Sequence, residues 1–311
     1  MFRLLAAALL VVALHSGAAA KDKLTVLLDW FINPDHAPLY VAQARGEFER
    51  RDLEVEFIAP ADPSAPPRLV AAGEGDLAIT YQPSLYQQAS EGLPVVRVGT
   101  LVASPLNSLL TLADSKVKSL TDLKGTTVGY SVGGFEDALL ERMLSTVGLT
   151  LKDVELVNVN FALTPALLSG RVDAVIGAFR NFELTQIELE GEKGRAFFPE
   201  DHGVPRYEEL IFIARNDRVD DDAIARFMDA VGVAARWQAE NPAEAEKAFF
   251  ELNPDIDNEL NRKAFKDTLP KFSLSPGALD ENLYEIFADF MIDAGLVKEL
   301  PPLSTYAVEL K

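Results

Sequence analysis

Polar and aromatic residues are grouped at four places where a predicted strand ends. At the first, the apolar run Leu24 to Leu28 is followed by Asp29, Trp30, Asn33 and His36. Carboxylate, amide and imidazole groups can hydrogen-bond a small molecule, and an indole ring can stack on a flat one. In an open α/β sheet the ligand crevice lies beyond the carboxyl ends of the strands. The segment therefore predicts one wall of a binding site, although Trp30 taken alone also suits an apolar core.

The second and third groups repeat this arrangement. Tyr81 and Gln82 follow a short apolar strand, and the pair Gly133-Gly134 precedes Phe135 at the start of a predicted helix. Paired glycines let backbone N–H groups approach a ligand, and a helix N-terminus favours an acceptor atom or an anion. The dinucleotide spacing G-x-G-x-x-G is absent from this turn. The turn therefore predicts backbone donors in the site rather than a nucleotide cofactor.

The fourth group combines a guanidinium, an amide and a carboxylate. The strand Ala174 to Gly177 leads into Phe179, Arg180, Asn181 and Glu183. All four strand ends carry an aromatic residue. Aromatic residues that served only to fill the core would not all be expected at the carboxyl ends of strands. The recurrence predicts a site for a flat heteroaromatic ligand that is stacked on rings and fixed by a few hydrogen bonds.

Composition argues against metal and thiol chemistry. The chain has three histidines and no cysteine, and it contains no H-E-x-x-H, G-x-S-x-G or Walker pattern. A histidine-rich or Cys-ligated metal centre and a thiol nucleophile are thereby excluded, so we expect no metal, no cofactor and no catalytic residue. His36 is interpreted as a structural or hinge residue rather than a general base.

Charge narrows the range of partners. Asp and Glu number 48 against 29 Lys and Arg, which gives a net charge of −19. Nucleic acids and anionic membranes reward clustered basic residues, so neither is expected as a partner. A strongly acidic balance is typical of a soluble protein that stays monomeric, and a monomer is expected.

The N-terminus has the three-part pattern of a secretory signal peptide. Arg3 precedes an apolar run from Leu4 to Leu14, and small residues end at Ala20. The run is shorter than the roughly 20 residues that a membrane helix needs. Residues 1–20 are therefore predicted to be removed after Ala20, which indicates an exported protein.

Apolar runs of strand length alternate with helical patterns, which predicts an α/β fold with parallel sheets covered on both faces. The predicted strands are Leu24–Leu28, Leu53–Ile58, Leu77–Thr80, Val95–Leu101, Ser108–Leu112, Thr127–Tyr130, Val154–Val159, Ala174–Gly177 and Glu209–Ala214, and the predicted helices are Ala37–Arg50, Pro66–Ala72, Pro83–Glu91, Phe135–Val147, Leu163–Ser169, Phe182–Glu190 and Asp222–Asn241, with further helices to Leu296.

The order of these elements predicts two lobes joined by two crossings. Residues 21–104 and 215–311 are assigned to lobe 1 and residues 105–214 to lobe 2. The C-terminal part is purely helical and must pack on an existing lobe. A cleft between two such lobes allows hinge closure around a ligand.

Several segments resemble the periplasmic substrate-binding proteins for thiamine pyrimidine precursors, the ThiY type. This superfamily also contains sulfonate and nitrate binders and a fungal-type pyrimidine-precursor synthase. The resemblance covers essentially the whole mature chain, and its most specific pieces are D-W-x-x-N-P-x-H-A-P-x-Y and aromatic-x-N-x-E. The segments that carry it are LDWFINPDHAPLYVAQARGEF, GEGDLAITYQPSLYQQASEGLPV, LKGTTVGYSVGGFED and SGRVDAVIGAFRNFELTQIELE, with NPAEA in a later helix.

The resemblance implies a two-lobed type II periplasmic binding fold. It also implies delivery of formylaminopyrimidine or hydroxymethylpyrimidine to a membrane ABC permease. By matched positions, Trp30 would stack on the pyrimidine, Tyr81 would form another wall, and Glu183 would accept hydrogen bonds from the exocyclic amine and the ring. Matched positions also place Asp29 and Asn33 nearby, give Gly133 and Gly134 as backbone donors, and frame the ligand with Phe179 and Asn181.

Two other functions remain open. A sulfonate, taurine or nitrate binder would rest on Arg180, where relatives often carry an aromatic residue, and on the glycine turn. The synthase branch needs a lysine for pyridoxal phosphate, where this chain has Thr80, and a histidine, where it has Ser84; its cysteine-rich motif is missing. Asp29 and Glu183 disfavour an anion, because two carboxylates beside a desolvated anion are costly.

Overall fold

Ten strands form two five-stranded sheets in the computed structural model, which describes residues 21–310. The signal peptide predicted for residues 1–20 lies outside the described residues. The strand order is β2-β1-β3-β10-β4 in the first sheet and β7-β6-β8-β5-β9 in the second. The strands are β1 (Asp22–Leu27), β2 (Leu53–Ile58), β3 (Leu77–Thr80), β4 (Val95–Val102), β5 (Asn107–Leu112), β6 (Thr127–Tyr130), β7 (Glu155–Asn158), β8 (Ala174–Phe179), β9 (Gly194–Phe197) and β10 (Leu210–Arg215).

Both sheets are mixed, so the prediction of parallel sheets was wrong for part of each. β1 pairs in parallel with β2 and β3, whereas β10 is antiparallel to β3 and β4. In the second sheet β6 is parallel to β7 and β8, whereas β5 is antiparallel to β8 and β9. β5 and β10 are the strands by which the chain enters a sheet from the cleft. They run against their neighbours because the carboxyl ends of those neighbours point toward the cleft.

The chain crosses between the sheets twice, once between β4 and β5 and once before β10. Because β10 pairs with β3 and β4, residues 210–215 belong to the first sheet, although the sequence analysis placed residues 210–214 in lobe 2. The local pattern could not decide this, because the strand is buried on both faces and suits either sheet. Strand β9 was missed, since it is only four residues long and follows a charged stretch.

Helices cover both sheets. The predicted helix Ala37–Arg50 stops early because Gly46 takes a left-handed conformation, with φ of 68°. The helices are α1 (Ala37–Ala44), α2 (Pro66–Ala71), α3 (Gln82–Ser90), α4 (Glu136–Ser145), α5 (Leu163–Leu168), α6 (Glu183–Leu189), α7 (Asp222–Glu240), α8 (Pro242–Leu252), α9 (Glu259–Thr268) and α10 (Glu281–Asp293).

The C-terminal helices pack on the first sheet and its helices. Phe227 of α7 stacks on Phe48 at 5.3 Å between ring centroids. The fully buried Arg97 of β4 donates hydrogen bonds to the carbonyls of Ala278 and Val308, which ties the last segment to the sheet edge. We define the first lobe as the first sheet with α1–α3 and α7–α10, and the second lobe as the second sheet with α4–α6. Within residues 21–310, no helix combines the length and apolar character needed to cross a bilayer.

Candidate functional site

A pocket lies between the two lobes, at the carboxyl ends of β1, β3, β6 and β8. Its position follows from the topology, because parallel strands of both sheets end at the cleft. Six of the predicted binding residues line it, and five lining residues were not predicted. The lining residues are Asp29, Trp30, Asn33, Asp35, Tyr81, Glu136, Leu163, Gly177, Phe179, Phe182 and Glu183.

Asp29 is held in place by two neighbours. The hydroxyl of Tyr81 donates to its Oδ2 at 3.0 Å, and Nε2 of His36 lies 2.9 Å from its Oδ1. The backbone N–H of Asn33 donates to Nδ1 of His36, so this nitrogen accepts and the proton belongs on Nε2. His36 is fully buried behind Asp29 and does not line the pocket. It therefore orients the carboxylate rather than touching the pocket space.

The side chain of Asn33 shapes the turn after β1. Its Oδ1 accepts from the backbone N–H of Asp35 at 2.8 Å, and its Nδ2 donates to the carbonyl of Phe31 at 2.9 Å. This is the capping pattern expected of asparagine before Pro34. Asn33 thus lines the pocket, but its side-chain amide is hydrogen-bonded to backbone groups of the turn.

Aromatic rings form two walls of the pocket. The ring of Tyr81 is stacked on Phe135 at 4.9 Å, so Phe135 supports this wall from behind. Trp30 reaches across the cleft and meets Phe161 of the second lobe edge-on at 4.6 Å. Phe179 lies at the end of β8 and lines the pocket from the second lobe. Rings from both lobes therefore enclose the space, which suits a flat ligand.

Three carboxyl groups of the pocket are pushed toward their neutral form. Burial raises the pKa of Glu183 to about 8, although the backbone N–H of Phe179 donates to it at 2.7 Å and opposes the shift. Burial likewise raises the pKa of Glu136 to about 8 and that of Asp35 to about 6. At neutral pH, Glu136 and Glu183 therefore carry a proton and can donate as well as accept a hydrogen bond.

Asn181 joins the two lobes instead of lining the pocket. Its Nδ2 lies 2.7 Å from Oδ1 of Asp35 and 2.6 Å from Oγ1 of Thr268. Thr268 in turn donates to the same oxygen of Asp35 at 2.7 Å. Asn181 belongs to the second lobe, whereas Asp35 and Thr268 belong to the first. We call these three residues the interlobe latch.

Arg180 is committed to the hinge and does not line the pocket. Its guanidinium forms a bidentate pair with Glu200, at 2.6 and 3.0 Å. It also donates to the carbonyls of Leu106 and Asn107 on the first crossing. The carboxylate of Glu209 accepts from the N–H groups of these same two residues. Arg180 and Glu209 therefore clamp the crossing from both sides, and the guanidinium is held away from the pocket lining.

Three other predicted residues also lie outside the pocket. Gly133 and Gly134 line a separate groove between the lobes, where Gln87 donates to the carbonyl of Gly134. Gln82 is fully buried; it donates to the hydroxyl of Tyr86 and accepts from the backbone N–H of Glu208. These residues hold the second crossing and the lobe contact rather than facing the pocket.

Glu136 is the main lining residue that sequence reasoning missed. A signal for it was present, because Phe135-Glu136 and Phe182-Glu183 are the same dipeptide, and each glutamate is the first residue of a helix that follows a strand. Among residues 21–310, no group of three or more His, Asp or Glu side chains has the arrangement of a metal site.

Comparison with known proteins places this geometry in a family. The chain is 53% identical over 293 residues to the "Putative thiamine biosynthesis protein" of Haemophilus influenzae, covering 94% of this chain and 93% of that protein. It is 35% identical over 270 residues to the formylaminopyrimidine-binding protein of Halalkalibacterium halodurans, covering 82% of each. It is also 29% identical over 262 residues to the 4-amino-5-hydroxymethyl-2-methylpyrimidine phosphate synthase of Legionella pneumophila, covering 82% of each.

Solved structures share the fold. The alkanesulfonate-binding protein SsuA from Xanthomonas axonopodis superposes with a TM-score of 0.70 at 18% identity, covering 94% of this chain and 98% of that one. A Candida albicans protein with the generic periplasmic binding protein fold gives a TM-score of 0.73, also at 18% identity, covering 93% and 97%. The predicted two-lobed periplasmic binding fold is thereby confirmed. The family model described as NMT1/THI5 like matches residues 33–245, and the chain belongs to this NMT1/THI5-like family.

Proposed function

We propose that the protein is the substrate-binding component of an ABC importer for a thiamine pyrimidine precursor, formylaminopyrimidine or hydroxymethylpyrimidine. The observation that carries this proposal is the interlobe pocket, in which aromatic rings stand beside buried carboxyl groups. The formylaminopyrimidine-binding protein of Halalkalibacterium halodurans, at 35% identity, supports it. Export to the periplasm, cleavage after Ala20, a monomeric state and a membrane permease as partner belong to the same proposal.

An aminopyrimidine complements this pocket in shape and in hydrogen bonding. Trp30 would cover one face of the ring, and Tyr81 and Phe179 would complete the walls. A protonated carboxyl group offers one donor and one acceptor, and the amine edge of an aminopyrimidine offers one acceptor and one donor. Glu183 would take this edge through two hydrogen bonds, with Asp29 close by. An analogue that lacks either group would leave a buried polar atom unsatisfied, which provides specificity.

The alternative function, anion binding, depended on Arg180 as a ligand in the site. Arg180 pairs with Glu200 and with the first crossing, and it does not line the pocket. The resemblance to SsuA is at 18% identity and concerns the fold. Acidic side chains, rather than cationic ones, line the pocket. A desolvated sulfonate beside them would be unfavourable.

The protein is proposed to bind without catalysing a reaction. Synthases are among its relatives, and the resemblance places their cofactor lysine at Thr80. A threonine has no amine with which to hold pyridoxal phosphate. Purified protein should therefore show no visible absorption band and no turnover of pyrimidine compounds.

Native mass spectrometry tests the assignment without any prior choice of ligand. Residues 21–311 are produced by export and purified without refolding, so that a copurified ligand is retained. The expected result is an adduct whose mass matches one of the two pyrimidines. A copurified sulfonate would contradict the proposal. A thermal-shift comparison of pyrimidines, taurine and nitrate gives an independent result, because a ligand in large excess stabilises the folded state.

A further inference from the structure

We propose that Glu136 is a second side chain that reads the ligand, by donating a hydrogen bond from its carboxyl group to a ring nitrogen. This inference rests on the proposed function and deepens it. It assigns a recognition role to a residue that neither the strand-end pattern nor the matched positions single out. The chemical class it selects is a neutral heteroaromatic ring with a nitrogen acceptor on the edge away from the amine.

The second lobe is built to admit this carboxyl group. Gly177 lies inside β8 with a φ of 97°, a conformation that side chains rarely adopt. A Cβ at Gly177 would fall 2.3 Å from Cδ of Glu136, so the carboxyl group occupies the space that any other residue would fill. Glycine at position 177 of the buried strand therefore leaves room for the carboxyl group of Glu136.

The hydrogen bonds that hold Glu136 both come from backbone donors. Glu136 is only 3% exposed and lines the pocket. The backbone N–H of Ser131 donates to its Oε2 at 2.7 Å, and the backbone of Val132 also donates to the carboxyl group. Both partners are donors, so neither can accept the carboxyl proton. A ligand acceptor in the pocket supplies the missing partner.

Neighbouring groups keep Glu136 neutral. Burial is the main cause of its raised pKa, and the carboxyl groups of Glu209 and Asp137 add to the shift. Tyr81, across the pocket, is itself held in its neutral form, because burial and nearby carboxyl groups raise its pKa well above 10. The acid form is thus the one that meets the ligand near neutral pH.

Glu136 and Glu183 both line the pocket, so each can take one nitrogen of a pyrimidine. Each begins a helix of the second lobe, and each accepts a backbone N–H that holds its carboxyl group against the pocket. The two nitrogens of a pyrimidine lie on opposite sides of the ring carbon between them. With Glu183 on the amine edge, the second nitrogen needs its own donor, which Glu136 provides.

Proton uptake on binding tests this role in a variant that keeps the fold. Titration calorimetry at pH 9 with 4-amino-5-hydroxymethyl-2-methylpyrimidine, in buffers of different ionisation enthalpy, counts the protons taken up. In the wild type both glutamates must regain a proton, so uptake should approach two. In Glu136→Gln, which keeps an acceptor for Ser131 and an amide donor for the ring, uptake should fall by about one. Equal uptake in both proteins would overturn the role of Glu136.

A ligand-atom comparison gives the second measurement. The probes are the same pyrimidine and an aminopyridine in which CH replaces the ring nitrogen away from the amine. We expect the aminopyridine to bind the wild type about 10- to 100-fold more weakly, and Glu136→Met to reduce this ratio to about threefold or less. An unchanged ratio in Glu136→Met contradicts the inference alone. A wild type that binds no pyrimidine contradicts the proposed function and this inference with it.

Discussion

Asn181 of the second lobe donates its side-chain N–H to Asp35 of the first lobe across a distance of 2.7 Å. Asp35 also lines the pocket. The same side chain therefore faces the pocket and connects the two lobes. Thr268 completes the latch from the C-terminal helices. Lobe closure and the shape of the pocket are thereby connected through one carboxyl group.

Removing the latch should favour the open arrangement of the lobes. Asn181→Ala removes both donor contacts of the amide, so closure around a pyrimidine loses two hydrogen bonds. We expect about tenfold weaker binding and a larger radius of gyration by small-angle X-ray scattering in the presence of ligand. Asn282→Ala, on the exposed side of α10, is the matched control. Scattering curves that coincide for the variant and the wild type would rule out the latch.

Replacement of Trp30 should remove most of the affinity. Trp30→Ala takes away one aromatic face of the pocket and its contact with Phe161. A loss of about 100-fold in pyrimidine affinity is expected, because both stacking and burial of the ring are lost. Trp237→Ala, whose ring packs against Arg45 away from the pocket, should leave the affinity unchanged. Calorimetry decides the point, and similar affinities for the two variants would contradict the stacking role.

Arg180→Gln should act on stability more than on ligand choice. The change breaks the pair with Glu200 and frees the carbonyls of the first crossing. We expect the free energy of unfolding to fall by about 1–3 kcal/mol, while preference for pyrimidines over taurine is retained. Arg236→Gln, at an exposed position, serves as the control. Loss of anion binding as the main effect of Arg180→Gln would restore the sulfonate interpretation.

The ligand-free protein should lose stability as the pH rises toward 8. The pKa of Glu183 is about 8 in the folded protein against 4.5 in the unfolded chain, so the folded state holds a proton that the unfolded state has released. Its contribution is complete below pH 4.5 and is lost as the pH passes 8. Urea unfolding should give a free energy lower at pH 8.5 than at pH 5.5, by on the order of 1–3 kcal/mol for this group. Glu183→Gln should reduce that difference; a slope identical to the wild type would show that Glu183 is already ionised.

Pocket residues could be predicted from the sequence where they follow the ends of adjacent parallel strands. β1 and β3 are adjacent and parallel, so Asp29, Trp30 and Tyr81 meet at one sheet edge as expected. Asn181 lies outside the pocket because its partners Asp35 and Thr268 are far away along the chain. Thr268 is 87 residues from Asn181, and no local pattern reveals such a contact.

Glu136 was overlooked for a different reason. The glycine pair before it predicted backbone donors, and the carboxylate after it was read as part of the helix. Only the three-dimensional structure shows that Gly177 makes room for this group from another strand. The strand β10 was assigned to the wrong sheet on similar grounds, since a strand buried on both faces carries no sign of which sheet it joins.

Titration calorimetry of residues 21–311 with formylaminopyrimidine, hydroxymethylpyrimidine, taurine and nitrate tests the central claim most directly. The account predicts saturable binding of at least one pyrimidine with micromolar or tighter affinity, a loss of about 10-fold or more in Glu183→Gln, and an unchanged affinity in the surface control Asp222→Asn. Binding of taurine or nitrate without binding of either pyrimidine would contradict it, as would equal affinities in the two variants.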